Sequence, residues 1–376
     1  SLNALSAGLS LLVSIIIIRF FGGTLYVDFI YDLALISIVS ICFEMIPSNF
    51  LIFKIQDDKR WLRVLKVQLY LSIILLIFIL YLFNFLSIFR EFSDYFYLLV
   101  IALAYKKYLD IKLQAEGRVV EFYRIDCFAA IFKILFILTL LAKNIFFQDL
   151  VWAAYTIGLS ISLLIWNLTD KSDEYIKEDF SIYKLISDEK NNIFQYYPGI
   201  VLKKVRDNVV YLITPLVVVE TIQAFFMLIY RNFNSVIGQT RVIEAIVNYR
   251  NYLKEFLLQK HLEMSIIILT QSFVLFICSF STYLSGLFSI EVLSPILFLS
   301  LLAWPTIKRF KLRAQLLSVY DANSVNLSLL IWNLLFILVT AIFLYTNFAN
   351  IFSLIFTILI SEYCAYLFMR SRLKIE

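Results

Sequence analysis

A single histidine, His261, serves a chain of 376 residues, and cysteine, proline and glycine number only four, five and eight. Charge is scarce too: Asp, Glu, Lys and Arg make up 16 % of the residues, against about one-quarter in an ordinary soluble domain. Each shortage removes a class of function. No G-x-S-x-G or H-E-x-x-H motif occurs, no Ser/His/Asp set can be built around His261, and its place in LLQKHLEM reads as an interfacial side chain. Cys42, Cys127, Cys278 and Cys364 lie far apart in apolar surroundings, so neither a disulfide framework nor a zinc site is expected. The few glycines form no dinucleotide loop, and no G-x-x-x-x-G-K-[ST] phosphate loop occurs. The chain therefore reads as a non-enzyme with no cofactor. Ser1 leads straight into an apolar segment without a basic n-region, which reads as no cleavable signal peptide.

What the chain has is hydrocarbon. Apolar residues make up 61 % and aromatics 17 %, with 36 phenylalanines. A helix crosses about 30 Å of bilayer core in roughly 20 apolar residues. Runs of that kind recur at 3–21, 27–53, 64–89, 94–113, 122–143, 149–168, 198–219, 221–246, 263–284, 290–307, 324–345 and 348–369. The long hydrophilic interruption, 169–195, falls between the sixth and seventh runs. The expected fold is an all-α polytopic membrane protein of twelve spans: a six-helix lobe over 1–168, an amphipathic connector over 169–197, and a second six-helix lobe over 198–376. The run KSDEYIKEDF in that connector reads as an amphipathic helix on the membrane surface.

The net charge of +5 is distributed by loop. Lys54, Lys59, Arg60, Arg63 and Lys66 fall between runs two and three; Lys106, Lys107, Lys112, Arg118 and Arg124 between four and five. Lys203, Lys204 and Arg206 follow the connector. Arg241, Arg250, Lys254 and Lys260 lie between runs eight and nine, Lys308, Arg309, Lys311 and Arg313 between ten and eleven, and Arg370, Arg372 and Lys374 at the end. The alternate loops hold almost none. By the positive-inside rule both termini and the connector are expected in the cytoplasm. The basic residues are thus read as topology signals, and no nucleic-acid partner is expected.

An ionisable group near the bilayer centre costs about 2.5–3.5 kcal/mol on insertion scales, so it faces a partner or a cavity. Lys133 lies two to three turns inside the fifth run. Arg231 is near the middle of the eighth, where Arg231, Asn234, Gly238 and Arg241 share one helix face. Arg206 and Asp207 lie about two turns into the seventh, and Glu44 lies deep in the second, one turn before Pro47. Gln271, Asn326 and Asn333 add uncharged polar groups. One reading is local pairing, Arg206 with Asp207 and Glu44 with a lysine on another helix. The other is a net-positive cavity built from Lys133, Arg231, Arg206, Lys107 and Asn234, suited to an anion such as phosphate. Arg19 and Asp28 flank the Gly22-Gly23 turn and read as a hairpin latch; Asp32 lies one turn beyond Asp28.

The stretch IIIIRFFGGTLYVDFIYDLAL carries Arg19, Gly22, Tyr26 and Phe29 in the Arg-x-x-Gly-x3-aromatic order that resembles the multidrug/oligosaccharidyl-lipid/polysaccharide exporter superfamily, with Val27 departing from its small residue. ICFEMIPSNFLIFKIQDDKRWLRVL resembles the next segment, with Glu44 in the acidic place and the following glycine missing. RDNVVYLITPLVVVETIQAFFMLIYR resembles the repeated counterpart, and LRAQLLSVYDANSVNLSLLIWNLLFIL the junction of spans ten and eleven. Within the superfamily the chain most resembles polysaccharide-unit flippases of the Wzx type. That resemblance implies movement of an undecaprenyl-diphosphate-linked oligosaccharide to the periplasmic leaflet of a bacterial inner membrane, by alternating access. It implies coupling to H+ or Na+, for which Glu44, Asp207, Asp28 and Arg19 are the coupling or gating candidates. It also implies membrane lipids and polysaccharide polymerase or assembly proteins as partners. A multidrug exporter of the same fold and a polytopic polysaccharide polymerase or ligase stay open as alternatives.

Overall fold

The computed structural model describes residues 2–40, 44, 46–85, 94–143, 149–169, 181–249, 260–288, 290–318 and 322–373. The segment KSDEYIKEDF and Cys42 lie outside them, as do the side chains of His261 and Arg241. The described elements are helices: α1 Leu2–Phe21, α2 Gly23–Val39, α3 Ser48–Asp57, α4 Trp61–Phe85, α5 Asp94–Ala115, α6 Val119–Ala142, α7 Leu150–Thr169, α8 Ile182–Asp188, α9 Lys190–Val217, α10 Glu220–Tyr249, α11 Lys260–Ser285, α12 Ile290–Leu301, α13 Ala303–Ser318, α14 Ala322–Tyr345 and α15 Ile351–Leu373. The apolar runs of the sequence fall on these helices, and two runs, 27–53 and 290–307, each take a pair. Among the described residues six helical stretches are long and apolar enough to cross a membrane: Trp61–Ile79, Val120–Ala142, Leu150–Thr169, Ser265–Ser285, Asn323–Tyr345 and Ile351–Leu373. The protein is a multi-pass membrane protein.

The two broken runs follow from proline. Pro47 disfavours helical geometry at the residue before it and starts α3 from an extended conformation, φ −53° and ψ 130°. Pro305 sits in the first turn of α13, where a missing N–H costs nothing to that helix, after a turn at Leu302.

The chain forms two compact units. One comprises Ser1–Val13 and Ile36–Ile200, the other Ser14–Leu35 and Val201–Glu376. The segment Ser14–Leu35 thus groups with the C-terminal sequence.

In the first unit α7 packs on α6 and α5. Ala154, Gly158 and Ser162 recur every four residues on α7, and such a stripe of small residues lets helix backbones approach closely in a bilayer. A Cβ added at Gly158 would stand 2.9 Å from both the Ala129 carbonyl and the Lys133 amide of α6. One turn on, the Ser162 hydroxyl donates to the Ile125 carbonyl at 2.7 Å. A second cluster joins Phe50, Leu51, Trp61, Leu65 and Ile111 of α3–α5 to Ile193. Ile182, Leu185 and Ile186 of the short helix α8 pack against it. Ser181 caps α8 by accepting from the Lys184 amide, and Glu189 pairs with Lys54 of α3 and accepts from Asn192. The Lys54 ammonium holds the Glu189 carboxyl below the usual range.

In the second unit α15 packs on α14 and α13, and α10 on α11 and α13. The helix α10 is buried all round from Gln223 to Tyr230. Its Asn232 donates to Ser281 of α11 at 2.7 Å. Trp332 and Phe336 stack at 5.1 Å in the same core.

The α6–α7 contact makes a direct prediction. Gly158→Leu should lower the unfolding temperature in detergent, with an overpacking cost of about 1–3 kcal/mol. Leu164→Ala, on an exposed position of the same helix, should leave it near wild type. Equal shifts in the two variants would contradict the close approach.

Candidate functional site

The first unit builds its polar centre at the α2–α3 break. The backbone there cannot continue into Pro47, and Gln68 of α4 supplies the missing partners: the Ile46 amide donates to Oε1 at 3.2 Å, and Nε2 donates to the Ile46 carbonyl at 3.3 Å. Glu44 is buried beside this clamp. Its Oε2 accepts from the Ser48 hydroxyl at 3.0 Å, and Oε1 lies 3.3 Å from the Lys107 ammonium of α5. The carboxylate also faces the N-terminal turn of α3, whose dipole favours negative charge. Two expected site residues, Glu44 and Lys107, therefore meet, in the local pairing that was one of the two sequence readings.

Next to Lys107, Lys106 pairs with Asp110 at 2.8 Å and with Asp126 of α6 at 3.1 Å. Sequence reasoning placed Lys106 in a loop and did not single out the two acids. Lys133 stands elsewhere in this unit, at the α6–α7 contact. Its ammonium lies 4.1 Å from the centroid of the Tyr155 ring, a cation–π arrangement, and its stem packs over Gly158.

In the second unit Arg206 is 4 % exposed, and its Nε donates to Asp207 at 3.0 Å. Asp207 keeps its carboxylate partly exposed. Glu362 of α15 holds Arg309 of α13 through two hydrogen bonds, 2.7 Å to Nε and 3.3 Å to Nη2. Arg309 is 1 % exposed. This fork-to-fork pair sets two opposite charges against each other in the interior of the second unit. Arg309 was read as a loop cation and Glu362 was missed. The signal was present, since Glu362 is a lone acid inside the apolar run 348–369.

Arg231 and Asn234 both lie on α10; Arg231 is half-buried and Asn234 exposed, and Asn234 donates to the Tyr211 hydroxyl at 3.4 Å. Tyr211 in turn packs edge-on against Tyr230 at 5.4 Å.

The expected Arg19–Asp28 latch is corrected. Gly22 does make the turn, at φ +94°, and Gly23 closes on Ala224 of α10. Arg19, however, lays its guanidinium over Gly286, where an added Cβ would meet Nη1 at 2.5 Å, and no Arg19–Asp28 ion pair forms among the described residues. Gly286, at φ +77°, ends α11 with the Leu287 amide bonded back to the Thr282 carbonyl. The carbonyl end of a helix attracts a cation, which explains the choice. Asp28 is exposed on α2, whereas Asp32 is buried.

Comparison places this architecture among known folds. No protein-family model matches the chain, and no curated protein matches it. Solved structures do. Lipid II flippase MurJ in an inward closed conformation aligns with 99 % of this chain and 86 % of its own, at a TM-score of 0.69 and 13 % identity. A MOP superfamily transporter from Pyrococcus furiosus, described as having a binding pocket of reverse polarity, aligns over 99 % and 93 %, at 0.62 and 14 %. An inward-facing multidrug resistance MATE family transporter aligns over 100 % and 94 %, at 0.58 and 13 %. The chain has the fold of MOP superfamily transporters.

Truncating one member of the buried pair tests its energetics. Glu362→Ala strands Arg309 and should cost about 3–5 kcal/mol, whereas an Arg309→Met/Glu362→Leu double variant should recover most of it. Thermal unfolding in detergent distinguishes them. A double variant no more stable than Glu362→Ala would contradict the pairing.

Proposed function

We propose that the protein is a flippase that carries an undecaprenyl-diphosphate-linked oligosaccharide from the cytoplasmic to the periplasmic leaflet by alternating access. The observation that carries this reading is the fold, which the chain shares over nearly its whole length with a flippase of another lipid-linked glycan precursor. The chemistry is in keeping. Lys133, Arg231, Arg206 and Lys107 place cationic side chains on helices α5, α6, α9 and α10, and guanidinium in particular matches the paired oxygens of a diphosphate. Asn234 adds an exposed amide beside the Tyr211 hydroxyl, a group able to bond sugar or phosphate oxygens.

The topology that belongs to this reading has twelve spans in two lobes, with both termini in the cytoplasm of a bacterial inner membrane. Coupling to H+ or Na+ is assigned to the carboxylates Glu44, Asp207 and Asp28, with Arg19 as a gating residue. Two of these acids already sit against cations, Glu44 with Lys107 and Asp207 with Arg206. Loading a proton on either acid would release its partner to bind an anion, which gives coupling a physical route. Polysaccharide polymerase and assembly proteins are the partners this function calls for.

A multidrug exporter is the reading this one displaces, and the two differ in what they need from the cations. In a strain whose surface polysaccharide depends on this protein, Lys133→Ala and Arg231→Ala should leave membrane insertion intact and reduce surface polysaccharide at least tenfold. Full polysaccharide in both variants, or rescue of drug sensitivity without polysaccharide, would overturn the proposal.

A further inference from the structure

Gln271, an uncharged polar group inside an apolar run, has no role in the sites above. It lines a groove of about 450 Å³ in the second unit, with Leu301 closing α12, Trp304 and Pro305 opening α13, and Ile360 and Tyr363 of α15. That volume is within the range of about 300–1,000 Å³ typical of small-ligand sites. Gln271 lies six residues inside the span Ser265–Ser285, about 9 Å at the helical rise of 1.5 Å per residue. Leu301 is 52 % and Tyr363 42 % exposed, so the groove is open to the medium around the protein. Its wall is firm: Trp304 stacks on Tyr363 at 6.1 Å and meets Tyr366 at 5.7 Å.

The groove is apolar but carries three hydrogen-bonding tips. The Gln271 amide, the Trp304 indole N–H and the Tyr363 hydroxyl have no hydrogen-bond partner among the described residues. Pro305 adds to the demand, because it has no N–H to return to the Leu301 carbonyl four residues back. Within hydrocarbon there is no water to meet these groups, and an unmet one is costly. The indole can only donate, the amide and hydroxyl can also donate, and no lysine or arginine lines the groove. The chemistry that fits is an apolar chain bearing an uncharged acceptor oxygen, and the anionic headgroup of a phospholipid does not fit.

We propose that this groove binds one acyl chain of an ester-linked bilayer lipid, the ester carbonyl accepting from Gln271 and Trp304 while the chain lies over Pro305 and Ile360. The proposal stands or falls without the flippase reading.

Diester and diether phosphatidylcholines of equal chain length differ in that carbonyl and so test it. The purified protein is equilibrated with an equimolar mixture of the two in detergent, delipidated in steps, and weighed by native mass spectrometry. The diester lipid should be retained several-fold over the diether. Gln271→Leu should abolish that preference and Trp304→Phe, which keeps a ring but loses the donor, should weaken it. Ile360→Trp, which fills the groove, should lower retention of both lipids. Each variant is compared only as a monodisperse species by size exclusion, so a folding defect in one leaves the other two to decide. Equal retention of diester and diether by the wild type, or a preference unchanged in the folded variants, would mean surface lipid only and would overturn the site.

Discussion

Hydrocarbon offers no hydrogen bonds, so each polar group in a membrane span must be met from within the chain. That constraint organises the described structure. Where Pro47 breaks the second apolar run, Gln68 from α4 takes both the amide and the carbonyl of Ile46. Where α9 ends, Gln223 from the start of α10 donates to the Val218 carbonyl at 2.8 Å. The Asn333 amide donates to the Leu202 carbonyl across two helices, and the Arg19 guanidinium lies against Gly286 at the end of α11. The helix breaks at Ile46 and Val218 are therefore supported positions, each held by a side chain from a neighbouring element.

The same constraint governs charge. Glu44 meets Lys107, Arg206 meets Asp207, and Arg309 meets Glu362, so these charges stand as pairs in preference to isolated ions. A buried ion pair adds little net stability, because desolvation offsets attraction, but losing one partner costs several kcal/mol. Such pairs are suited to switching: whatever protonates or replaces one member changes the state of the other.

The architecture was legible because period and length of apolar runs are direct consequences of the bilayer. The Gly22 turn could be read from spacing, and local pairing of Arg206 with Asp207 and of Glu44 with a lysine was one of two readings, whereas the breaks inside runs 27–53 and 290–307 were not read. The rest depended on tertiary placement. Arg309 sits in the sequence TIKRFKLR and looks like a loop cation, yet α13 turns it inward onto Glu362, one acid hidden in ILISEYCAYLF. Lys106 and Lys107 are adjacent in sequence and looked alike, but a helix turns neighbours by about 100°, and they meet different acids. Arg19 had an acid close by in sequence and took a helix terminus from the C-terminal half of the chain. No local pattern encodes those choices.

The proposed movement of a polyprenyl-diphosphate-linked glycan across a bilayer can be observed in isolation. Proteoliposomes carrying a polyprenyl-diphosphate-linked oligosaccharide in both leaflets would be treated outside with a glycosidase that cannot cross the membrane. With an ion gradient imposed, cleavage should pass the outer-leaflet half and approach completion, and should fall back to half with Arg231→Ala. Cleavage that stops at the outer-leaflet half with the wild-type protein, as in protein-free liposomes, would contradict it.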